Sequence, residues 1–494
     1  MAQKTCGELF AGIDCTIIGN PDEPVGGIAY RSDAVRAGDA FCCIVGLKVD
    51  GHSLAQDAIA RGARVLVVER KIYLADATDI TEVVVKDSRK AMARMAARFY
   101  DNPSESFDLV GVTGTNGKTT TTYLVEHLAK VMGSRTGLIG TVGISIDGEH
   151  LPSEHTTPES PDMQRLFAQM RDEHCGVVAM EVSSHALDLD RTWATKFAVT
   201  AFTNLTQDHL DYHKTFESYF AAKARLFSAD YPARRVINID SPWGKELLKR
   251  CSAREDSIVT TGWDRSAQIY PADVTYATTH TTVKLSVRGQ ILEFTYPLVG
   301  RFNVENIMTA FGIGLQLGYA PAALAAAFKD APAIPGRLQR IKTAHDGGVS
   351  IYVDYAHTPD ALEKAIASVD ALDGDGRTIV VFGCGGDRDA SKRPIMGRAA
   401  LAADYAIVTS DNPRTEDPQA IIDDIVDGMN GGEGRFEVDP DRRLAIARAI
   451  KAAQPGDAIL VAGKGHEDYQ IVGTEKHHFD DREVAAEELE KVFG

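Results

Sequence analysis

The segment GVTGTNGKTT at residues 111–120 combines glycines, a lysine and hydroxyl groups in an order that suits phosphate binding. It follows a short, largely apolar run and precedes residues with helical spacing, which predicts a strand, a tight turn and a helix beginning near Lys118. The N–H groups of such a turn and the helix dipole attract an anion. Lys118 can reach a terminal phosphate oxygen, and the hydroxyl of Thr119 or Thr120 can hold Mg²⁺. We therefore predict a nucleotide-phosphate site at Gly114, Thr115, Asn116, Gly117, Lys118, Thr119 and Thr120.

This loop is a variant of the usual P-loop, which has a glycine five residues before the position of Gly117. Val112 stands at that position, and Gly114 lies inside the loop instead. The alternative is a glycine-rich turn that only joins a strand to a helix. The sequence Gly-Lys-Thr-Thr between a strand and a helix favours the phosphate site.

Two further residues follow predicted strands and could bind a metal ion or a phosphate. Glu181 ends the strand predicted at 177–180, where an acid can hold Mg²⁺ or merely cap a turn. His209 follows the strand predicted at 198–202 and is either a metal or phosphate contact or a structural histidine. Strands that end in polar residues beside a P-loop are typical of a doubly wound parallel sheet.

Lys223 lies in a segment, residues 219–227, that has the composition of a helix. Lysine is rarely buried, so its residue type alone predicts a solvent-exposed side chain.

Polar loops follow four predicted strands in the last third of the chain, and three of them carry charges suited to an amino acid. Residues 383–388 form a glycine-rich loop with Arg388, followed by Lys392. Residues 411–414 read Asp-Asn-Pro-Arg, which offers a guanidinium to a carboxylate and an acid or amide to an ammonium. Residues 463–467 add Glu467. Each loop alone could be ordinary turn chemistry. Together they predict one rim at the carboxyl ends of parallel strands.

The elements that must position these residues predict an α/β protein of three domains. We place the domains at 1–105, 106–337 and 338–494, with a P-loop sheet in the second and a Rossmann-like fold in the third. Further expectations are a helix at 88–100 capped by Ser88, a buried stripe of Leu124, Leu128 and Val131, antiparallel strands within 265–296, and helical residues 306–328.

Composition excludes several classes of protein. The net charge of −17 argues against a broad surface for nucleic acid or an anionic membrane. There is no apolar run long enough to cross a membrane and no signal-like segment at residue 1. The seven cysteines include no C-x-x-C pair, which favours reduced thiols over a zinc site. We expect a cytoplasmic enzyme.

Motifs distributed over nearly the whole chain resemble those of the Mur ligase family, in the same order. They are TGTNGKT (113–119), MEVSSH (180–185), FTNLTQDHLDYH (202–213), FNVENI (302–307), PGRLQ (335–339), DYAHTPD (354–360), GCGGDRD (383–389) and GKGHEDYQ (463–470). The first hundred residues match more loosely.

The resemblance implies a role for each matching position. Catalysis would rest on Lys118, Lys223 and His209, and the metal ligands would be Thr119, Glu181, His209 and a carbamylated Lys223. The nucleotide would also contact Asn303, Arg337, Asp354 and Lys392. The UDP-linked substrate would bind Ser32, Leu47, Lys48, Val49, Thr156, Thr157, Ser183 and Arg191, although Leu189 stands where relatives often have glutamine. The added amino acid would bind Arg388, Asp411, Asn412, Pro413, Arg414, Gly463 and Glu467.

The reaction implied is an ATP- and Mg²⁺-dependent amide ligation through an acyl phosphate in peptidoglycan precursor synthesis. The DNPR loop at 411–414 implies meso-2,6-diaminopimelate as the amino acid added to UDP-N-acetylmuramoyl-L-alanyl-D-glutamate. We expect a monomer that acts on these small molecules, without a nucleic-acid partner or membrane insertion. The alternatives are the same ligase with L-lysine, a ligase like folylpolyglutamate synthetase, and a P-loop binding or switch protein. A hinge near 335–338 would close the third domain on the P-loop.

Overall fold

The computed structural model describes residues 4–46, 49–72, 79–153, 155–251, 257–344, 346–372 and 376–494. They form two compact units. The first contains Met1–Gly111, Ser134–Ala198 and Arg225–Ala233, and the second contains Val112–Gly133, Val199–Ala224 and Arg234–Gly494. Among the described residues, no helix combines the length and hydrophobicity needed to cross a membrane.

The first hundred residues fold around a five-stranded sheet in the order β2-β7-β6-β5-β4, in which only β2 runs antiparallel to its neighbour. The elements are β1 (Lys4–Thr5), α1 (Cys6–Phe10), β2 (Cys15–Ile18), β3 (Pro24–Val25), β4 (Ile28–Ala29), β5 (Ala40–Cys42), α2 (Ala55–Ala60), β6 (Val65–Val68), β7 (Thr81–Val85) and α3 (Ser88–Phe99).

The predicted cap of α3 is wrong by one residue. The Asp87 side chain accepts a hydrogen bond from the Lys90 N–H and is the N-cap, whereas the Ser88 hydroxyl donates to Glu69. An aspartate caps a helix as well as a serine does, so residue type alone could not choose between neighbours.

The next elements of the chain contribute to both units. They are β8 (Asp108–Thr113), α4 (Lys118–Val131), β9 (Thr136–Ile139), β10 (Ile144–Ile146), β11 (Glu149–Leu151), α5 (Ser160–Asp172), β12 (Val177–Glu181), α6 (Ser184–Asp188), β13 (Val199–Phe202), α7 (Leu210–His213), α8 (Phe216–Ala224), β14 (Arg234–Asn238), α9 (Pro242–Arg250), β15 (Ile258–Thr261), β16 (Ile269–Tyr276), β17 (Thr281–Val287), β18 (Gln290–Tyr296), α10 (Arg301–Gln316) and α11 (Pro321–Ala327).

Parallel pairing dominates the strands nearest the P-loop. In the first unit β12 pairs in parallel with β9, and β10 and β11 extend that edge in antiparallel. In the second unit β13, β14 and β15 are parallel, and β16, β17 and β18 form the predicted antiparallel extension. The expected helical region 306–328 is two helices, α10 and α11, because Gly318 (φ 93°) ends the first and Pro321 begins the second.

Helix α4 begins at Lys118 as predicted, but its buried face differs. Leu124 and Leu128 are buried, whereas Val131 is 53% exposed. Val131 is the last residue of the helix.

The C-terminal elements form a six-stranded sheet in the order β19-β20-β24-β21-β22-β23, parallel except for β19. The elements of this region are β19 (Gln339–Ile341), β20 (Ser350–Asp354), α12 (Pro359–Asp370), β21 (Thr378–Phe382), α13 (Arg393–Ala400), β22 (Tyr405–Val408), α14 (Pro418–Val426), β23 (Phe436–Val438), α15 (Arg442–Ala452), β24 (Ala458–Ala462), β25 (Tyr469–Val472), β26 (Glu475–His478) and α16 (Asp481–Phe493). Strands β25 and β26 pair with each other in a separate two-stranded sheet. Apolar clusters cover both faces of this sheet. The predicted parallel strands with polar loops at one rim are confirmed.

Candidate active site

Two glycines give the 114–117 loop its shape. Gly114 has φ 149° and Gly117 has φ 86°, both in the region that favours glycine. A Cβ at Gly114 would lie 1.9 Å from the Thr203 hydroxyl oxygen, and one at Gly117 would lie 2.3 Å from Asn306 Oδ1. The loop backbone therefore approaches its neighbours more closely than any side chain would allow.

Polar side chains that follow β13 hydrogen-bond to the backbone of this loop. The Thr203 hydroxyl donates to the Asn116 carbonyl at 2.6 Å, and Asn204 Oδ1 accepts from the Asn116 N–H at 2.9 Å. The Thr115 hydroxyl lies 3.2 Å from the Tyr219 hydroxyl of α8. These bonds hold the loop in one conformation.

Two lysines converge on the same loop carbonyl. Lys118 Nζ donates to the carbonyls of Gly114 (3.0 Å) and Thr115 (2.7 Å), and Lys223 Nζ donates to Gly114 at 2.8 Å. Lys223 is 1% exposed, so the surface position predicted from its residue type is wrong. Burial, followed by the charge of Lys118, holds the pKa of Lys223 well below its ordinary value. The structure thus brings a buried amine, whose neutral form burial favours, to the phosphate loop.

Asp208 is an acid of this site that the sequence analysis overlooked. Burial would raise its pKa, but the charges of His209, His357, Lys392 and Lys118 outweigh burial and the pKa is lowered. His209 Nε2 lies 3.3 Å from Asp208 Oδ2, and the histidine side chain is 44% exposed. The signal was present in the sequence, because Asp208 directly precedes the histidine that we singled out.

The C-terminal region also contributes side chains to the loop. Arg337 Nη2 donates to the Thr119 hydroxyl at 3.0 Å, and Asn116 Nδ2 donates to Asp360 at 3.1 Å. Lys392 Nζ donates to the carbonyl of His357 at 2.9 Å. The structure therefore gathers Arg337 and Lys392 around the P-loop, as predicted.

Asp354 and Asn303 serve the backbone around this site. Asp354 accepts from the Leu338 N–H at 2.5 Å, and burial raises its pKa to about 6, against the effects of Arg337 and the backbone N–H groups. Asn303 Nδ2 donates to the Val299 carbonyl at 2.7 Å and its Oδ1 accepts from Asn306. Both side chains are buried.

The second unit offers oxygen ligands of the kind that Mg²⁺ binds, and a carbamate on Lys223 would add to them. Mg²⁺ prefers oxygen ligands, and no cluster of three or more His, Cys, Asp or Glu side chains suited to a metal occurs in the described part of the chain. The buried hydroxyls of Thr119 and Thr120 and the carboxylate of Asp208 are oxygen donors. A carbamate on Lys223 would supply two more.

In the first unit, Glu181 and four of the residues predicted to bind the UDP-linked substrate form one hydrogen-bonded group. The Glu181 carboxylate accepts from the N–H and the hydroxyl of Thr141, and the Thr141 hydroxyl lies 3.0 Å from that of Thr156. The Thr157 hydroxyl donates to the Glu181 carbonyl at 2.8 Å. Glu181 itself is 1% exposed.

Ser183 and Arg191 complete this group. The Ser183 N–H donates to the Thr157 hydroxyl at 3.1 Å, and Arg191 Nη1 donates to the Thr157 carbonyl at 2.9 Å. The described hydrogen bonds of the group include neither Ser32, which lies in a turn at Ser32–Ala34, nor Val49, which is exposed. Leu47 and Lys48 lie outside the described residues.

The three C-terminal loops meet as predicted. Asn412 Nδ2 donates to Glu467 at 2.8 Å, and Arg414 Nη1 donates to the Gly386 carbonyl at 2.7 Å. A Cβ at Gly463 would lie 2.6 Å from Asp411 Oδ2. Burial and the neighbouring charge of Asp411 raise the pKa of Glu467.

The remaining residues of the rim differ in exposure. Pro413 is buried against Gly386, since a Cβ on that glycine would lie 1.9 Å from the Pro413 carbonyl oxygen. Arg388 is exposed and donates to the Asp387 carbonyl. Lys464, which we did not predict, is fully buried and donates to Asn412 Oδ1 at 3.2 Å.

Comparison with known proteins decides the family. Residues 24–100 match the model described as Mur ligase family, catalytic domain, residues 112–314 match the Mur ligase middle domain, and residues 336–465 match the Mur ligase glutamate ligase domain. A protein of Gloeobacter violaceus named UDP-N-acetylmuramoyl-L-alanyl-D-glutamate--2,6-diaminopimelate ligase is 45% identical over 98% of both chains. The chain belongs to the Mur ligase family.

Solved structures agree with a three-domain Mur ligase fold. A structure titled UDP-N-acetylmuramoyl-L-alanyl-D-glutamate--2,6-diaminopimelate ligase superposes with a TM-score of 0.71 at 32% identity and covers 99% of both chains. The folylpolyglutamate synthase of Mycobacterium tuberculosis complexed with ADP superposes at 0.62 with 22% identity, covering 74% of this chain and 90% of that chain, which shows a common fold alone. The predicted α/β fold with three domains is confirmed, whereas the exact boundaries at 105 and 337 stay predictions.

Proposed function

We propose that this Mur ligase uses ATP to join meso-2,6-diaminopimelate to UDP-N-acetylmuramoyl-L-alanyl-D-glutamate. The observation that carries the proposal is the presence, in one compact unit, of a lysine-lined P-loop and a rim of paired acids, amides and guanidinium groups. The name of the 45% identical relative supports this choice of substrates.

The reaction requires activation of a carboxylate, because an amine does not displace oxide from a carboxylate at neutral pH. The D-glutamyl carboxylate oxygen attacks the γ-phosphorus of ATP, and ADP leaves as the acyl phosphate forms. The diaminopimelate amine then attacks the acyl carbon, and the tetrahedral intermediate expels phosphate while the nitrogen loses a proton. The enzyme contributes positioning and neutralisation of charge.

The P-loop side chains suit the first step. Lys118 carries a positive charge beside the loop carbonyls, and the N–H groups at the start of α4 face the same place. Arg337, which bonds the Thr119 hydroxyl, adds a second cation for the phosphates. Lys392 is held by the His357 carbonyl within the same group of charges.

Mg²⁺, when bound, neutralises phosphate charge and lowers the barrier to phosphoryl transfer. In the second unit we assign it to the Thr119 hydroxyl, His209 and a carbamate on Lys223. Carbamylation requires a neutral amine, and the lowered pKa of the buried Lys223 favours that form. The metal role of Glu181 stays a prediction.

The rim suits diaminopimelate better than lysine. The far end of diaminopimelate carries a carboxylate and an ammonium, whereas lysine has only the ammonium there. We assign the carboxylate to Arg414 and to Arg388, which belongs to the loop at 383–388 of the same rim. We assign the ammonium to Asp411, Asn412 and Glu467. Without Arg414, the two amino acids would differ little in affinity.

We assign the UDP-linked dipeptide to the first unit. The cluster of Thr156, Thr157, Ser183 and Arg191 offers hydroxyls and one guanidinium in fixed positions. The contacts predicted for Ser32, Leu47, Lys48 and Val49 stay predictions. The seven cysteines are all unpaired thiols, which supports a reducing, cytoplasmic setting.

A coupled assay of ADP release tests the proposal. ADP should form only when UDP-N-acetylmuramoyl-L-alanyl-D-glutamate is present, and meso-diaminopimelate should support it far better than L-lysine. A preference for lysine would favour the lysine-adding ligase. Release that depends on folate and glutamate would favour the folylpolyglutamate-like alternative, and release that needs no amino acid would favour a switch protein.

A further inference from the structure

Arg442 is a buried arginine that none of the motifs at the rim includes. It is the first residue of α15, its side chain has no exposed surface, and it is among the largest fully buried side chains in the described part of the chain. Burying a guanidinium is costly unless its charge and its donors are satisfied. Its neighbours therefore indicate what it does.

Two of its three nitrogens have strong partners. Nε donates to Asp481 Oδ1 at 2.7 Å, and Nη2 donates to Asp481 Oδ2 at 2.6 Å and to the Ala462 carbonyl at 3.0 Å. Asp481 begins α16 and Ala462 ends β24, so Arg442 ties three elements together. Asp481 also has no exposed surface. The ion pair with Asp481 therefore holds Arg442 in place, but Nη1 takes no part in it.

Nη1 is buried, has no hydrogen-bond partner among the described residues, and lies 4.0 Å from Asp411 Oδ2. Gly463 allows this approach, because a Cβ there would lie 2.6 Å from the same carboxylate oxygen and 3.8 Å from Arg442 Nη2. The other Asp411 oxygen accepts from the Asn412 N–H at 2.7 Å. The carboxylate is thus fixed by a backbone N–H on one side and faced by a guanidinium on the other.

The rim needs such a charge because its acids crowd each other. The charge of Asp411 adds to burial in raising the pKa of Glu467, so the two carboxylates lie close enough to repel each other. Burial would lower the pKa of Arg442, but Asp481, Asp411 and Glu467 raise it, and the guanidinium stays charged. Arg442 is thus a permanent cation close to both Asp411 and Glu467.

We propose that Arg442 is a positioning residue of the amino-acid site, which orients the Asp411 carboxylate towards the ammonium group of the added amino acid. The inference rests on the proposed function, since it assumes that Asp411 binds that substrate. Arg442 does not touch the substrate. It acts through Asp411, and Asp481 and Ala462 hold it in place.

The test compares two variants that remove the guanidinium. Arg442→Lys keeps the positive charge but loses the planar set of N–H donors of the guanidinium. Arg442→Met combined with Asp481→Leu replaces the buried ion pair with apolar side chains, a change that proteins often tolerate. Each should raise KM for diaminopimelate about tenfold and leave KM for ATP within about twofold. In an Asp411→Asn background, neither should raise KM further, because the residue through which Arg442 acts is already changed.

Arg377→Lys is the matched control. Arg377 makes similar contacts at the opposite end of the sheet, with Nε and Nη2 on Asp457 Oδ2 and Nη2 on the Ala452 carbonyl, although its side chain is 47% exposed. It should lower Tm without changing either KM. The proposal is overturned if the folded Arg442 variants keep the wild-type KM for diaminopimelate, or if they raise it equally with and without Asp411→Asn. If the wild-type enzyme shows no dependence on diaminopimelate, the proposed function fails, and this inference fails with it.

Discussion

Lys223 and Asp354 are both buried ionisable residues near the P-loop, and burial favours the neutral form of each. For Lys223, the neutral amine is the form that can be carbamylated. For Asp354, burial raises the pKa to about 6 although Arg337 and the Leu338 N–H favour the charged form. At the residue scale, the site is therefore sensitive to pH.

We expect Asp354→Asn to change how stability depends on pH. A carboxyl group with a raised pKa stabilises the fold below its unfolded value, near 3.8, and that contribution disappears as pH rises through about 6. The change corresponds to about two pH units, or at most about 3 kcal/mol. The asparagine variant should therefore gain stability relative to wild type between pH 4 and pH 7, as measured by thermal unfolding.

Asp457→Asn serves as the control of opposite sign. Burial would raise the pKa of Asp457, but its bonds with Arg377 and Gln454 outweigh burial and lower it. Its contribution is present above pH 3.8 and is lost as pH falls through the lowered pKa. If both variants change with pH in the same direction, the assignment for Asp354 is wrong.

Arg414→Ala should raise KM for diaminopimelate by at least tenfold and leave KM for ATP within about twofold, since it removes the guanidinium that we assign to the distal carboxylate. The preference for diaminopimelate over lysine should fall at the same time. Arg435→Ala is the control, because Arg435 also donates to a carbonyl of this domain, that of Leu401, but lies away from the rim. An unchanged KM for diaminopimelate in Arg414→Ala would contradict the assignment.

At the scale of elements, the strand, turn and helix of the P-loop depend on a close backbone approach. Gly117 and Gly133 have the same φ of 86°, one before α4 and one after it. A Cβ at Gly117 would lie 2.3 Å from Asn306 Oδ1, whereas a Cβ at Gly133 would have nothing within 4 Å. The two positions therefore separate backbone strain from steric contact.

Replacing each glycine with alanine should have different consequences. Gly133→Ala should cost about 1 kcal/mol of stability, from the left-handed conformation alone, with normal kinetics. Gly117→Ala should cost more and should also raise KM for ATP about tenfold or more, because the loop must move away from Asn306. Thermal unfolding and ATP kinetics on both variants check this. Equal effects at the two sites would show that the contact with Asn306 does not matter.

At the scale of the whole molecule, the reaction requires the amino-acid rim and the P-loop to come together. The linker at 335–338 that we predicted as a hinge is bound to the C-terminal region, since Leu338 donates to Asp354 and the Gly336 carbonyl accepts from Tyr355. Gly336 also packs against Gly465 and His466, where a Cβ would lie 2.1 Å from the His466 nitrogen. The backbone of residues 336–338 should thus move together with the C-terminal domain, while the bond from Arg337 to the Thr119 hydroxyl links this segment to the P-loop.

We expect a non-hydrolysable ATP analogue to reduce the radius of gyration measured by small-angle scattering. The physical reason is that Arg337 and Lys392 of the C-terminal region already lie near the P-loop, and the phosphates would draw them and Lys118 closer together around one anion. Addition of AMP, which lacks the β- and γ-phosphates, is the control and should leave the scattering unchanged. Identical curves with and without the analogue would rule out closure on ATP binding.

Local patterns in the sequence predicted most elements well, because the periodicity of apolar residues and the turn residues indicate where strands and helices lie. Strand β12, the start of α4 and the antiparallel strands β16 to β18 lie where the patterns place them. One miss is a local choice between near equivalents, Asp87 instead of Ser88 as the cap of α3, whereas the misses at Lys223 and Val131 concern burial. The motifs at 113–119, 411–414 and 463–467 also identified the loops of the candidate site.

The sequence by itself determined the order of elements, the P-loop and the charges of the rim, because each depends on residues adjacent in the chain. Only the tertiary structure decided which charges are buried and what faces them. Lys223 is helical and polar like any surface lysine, yet it lies under the Gly114 carbonyl. Arg442 opens an ordinary helix, yet it is buried against Asp481 and faces Asp411. Burial of this kind depends on packing between residues distant in sequence, which no local pattern records.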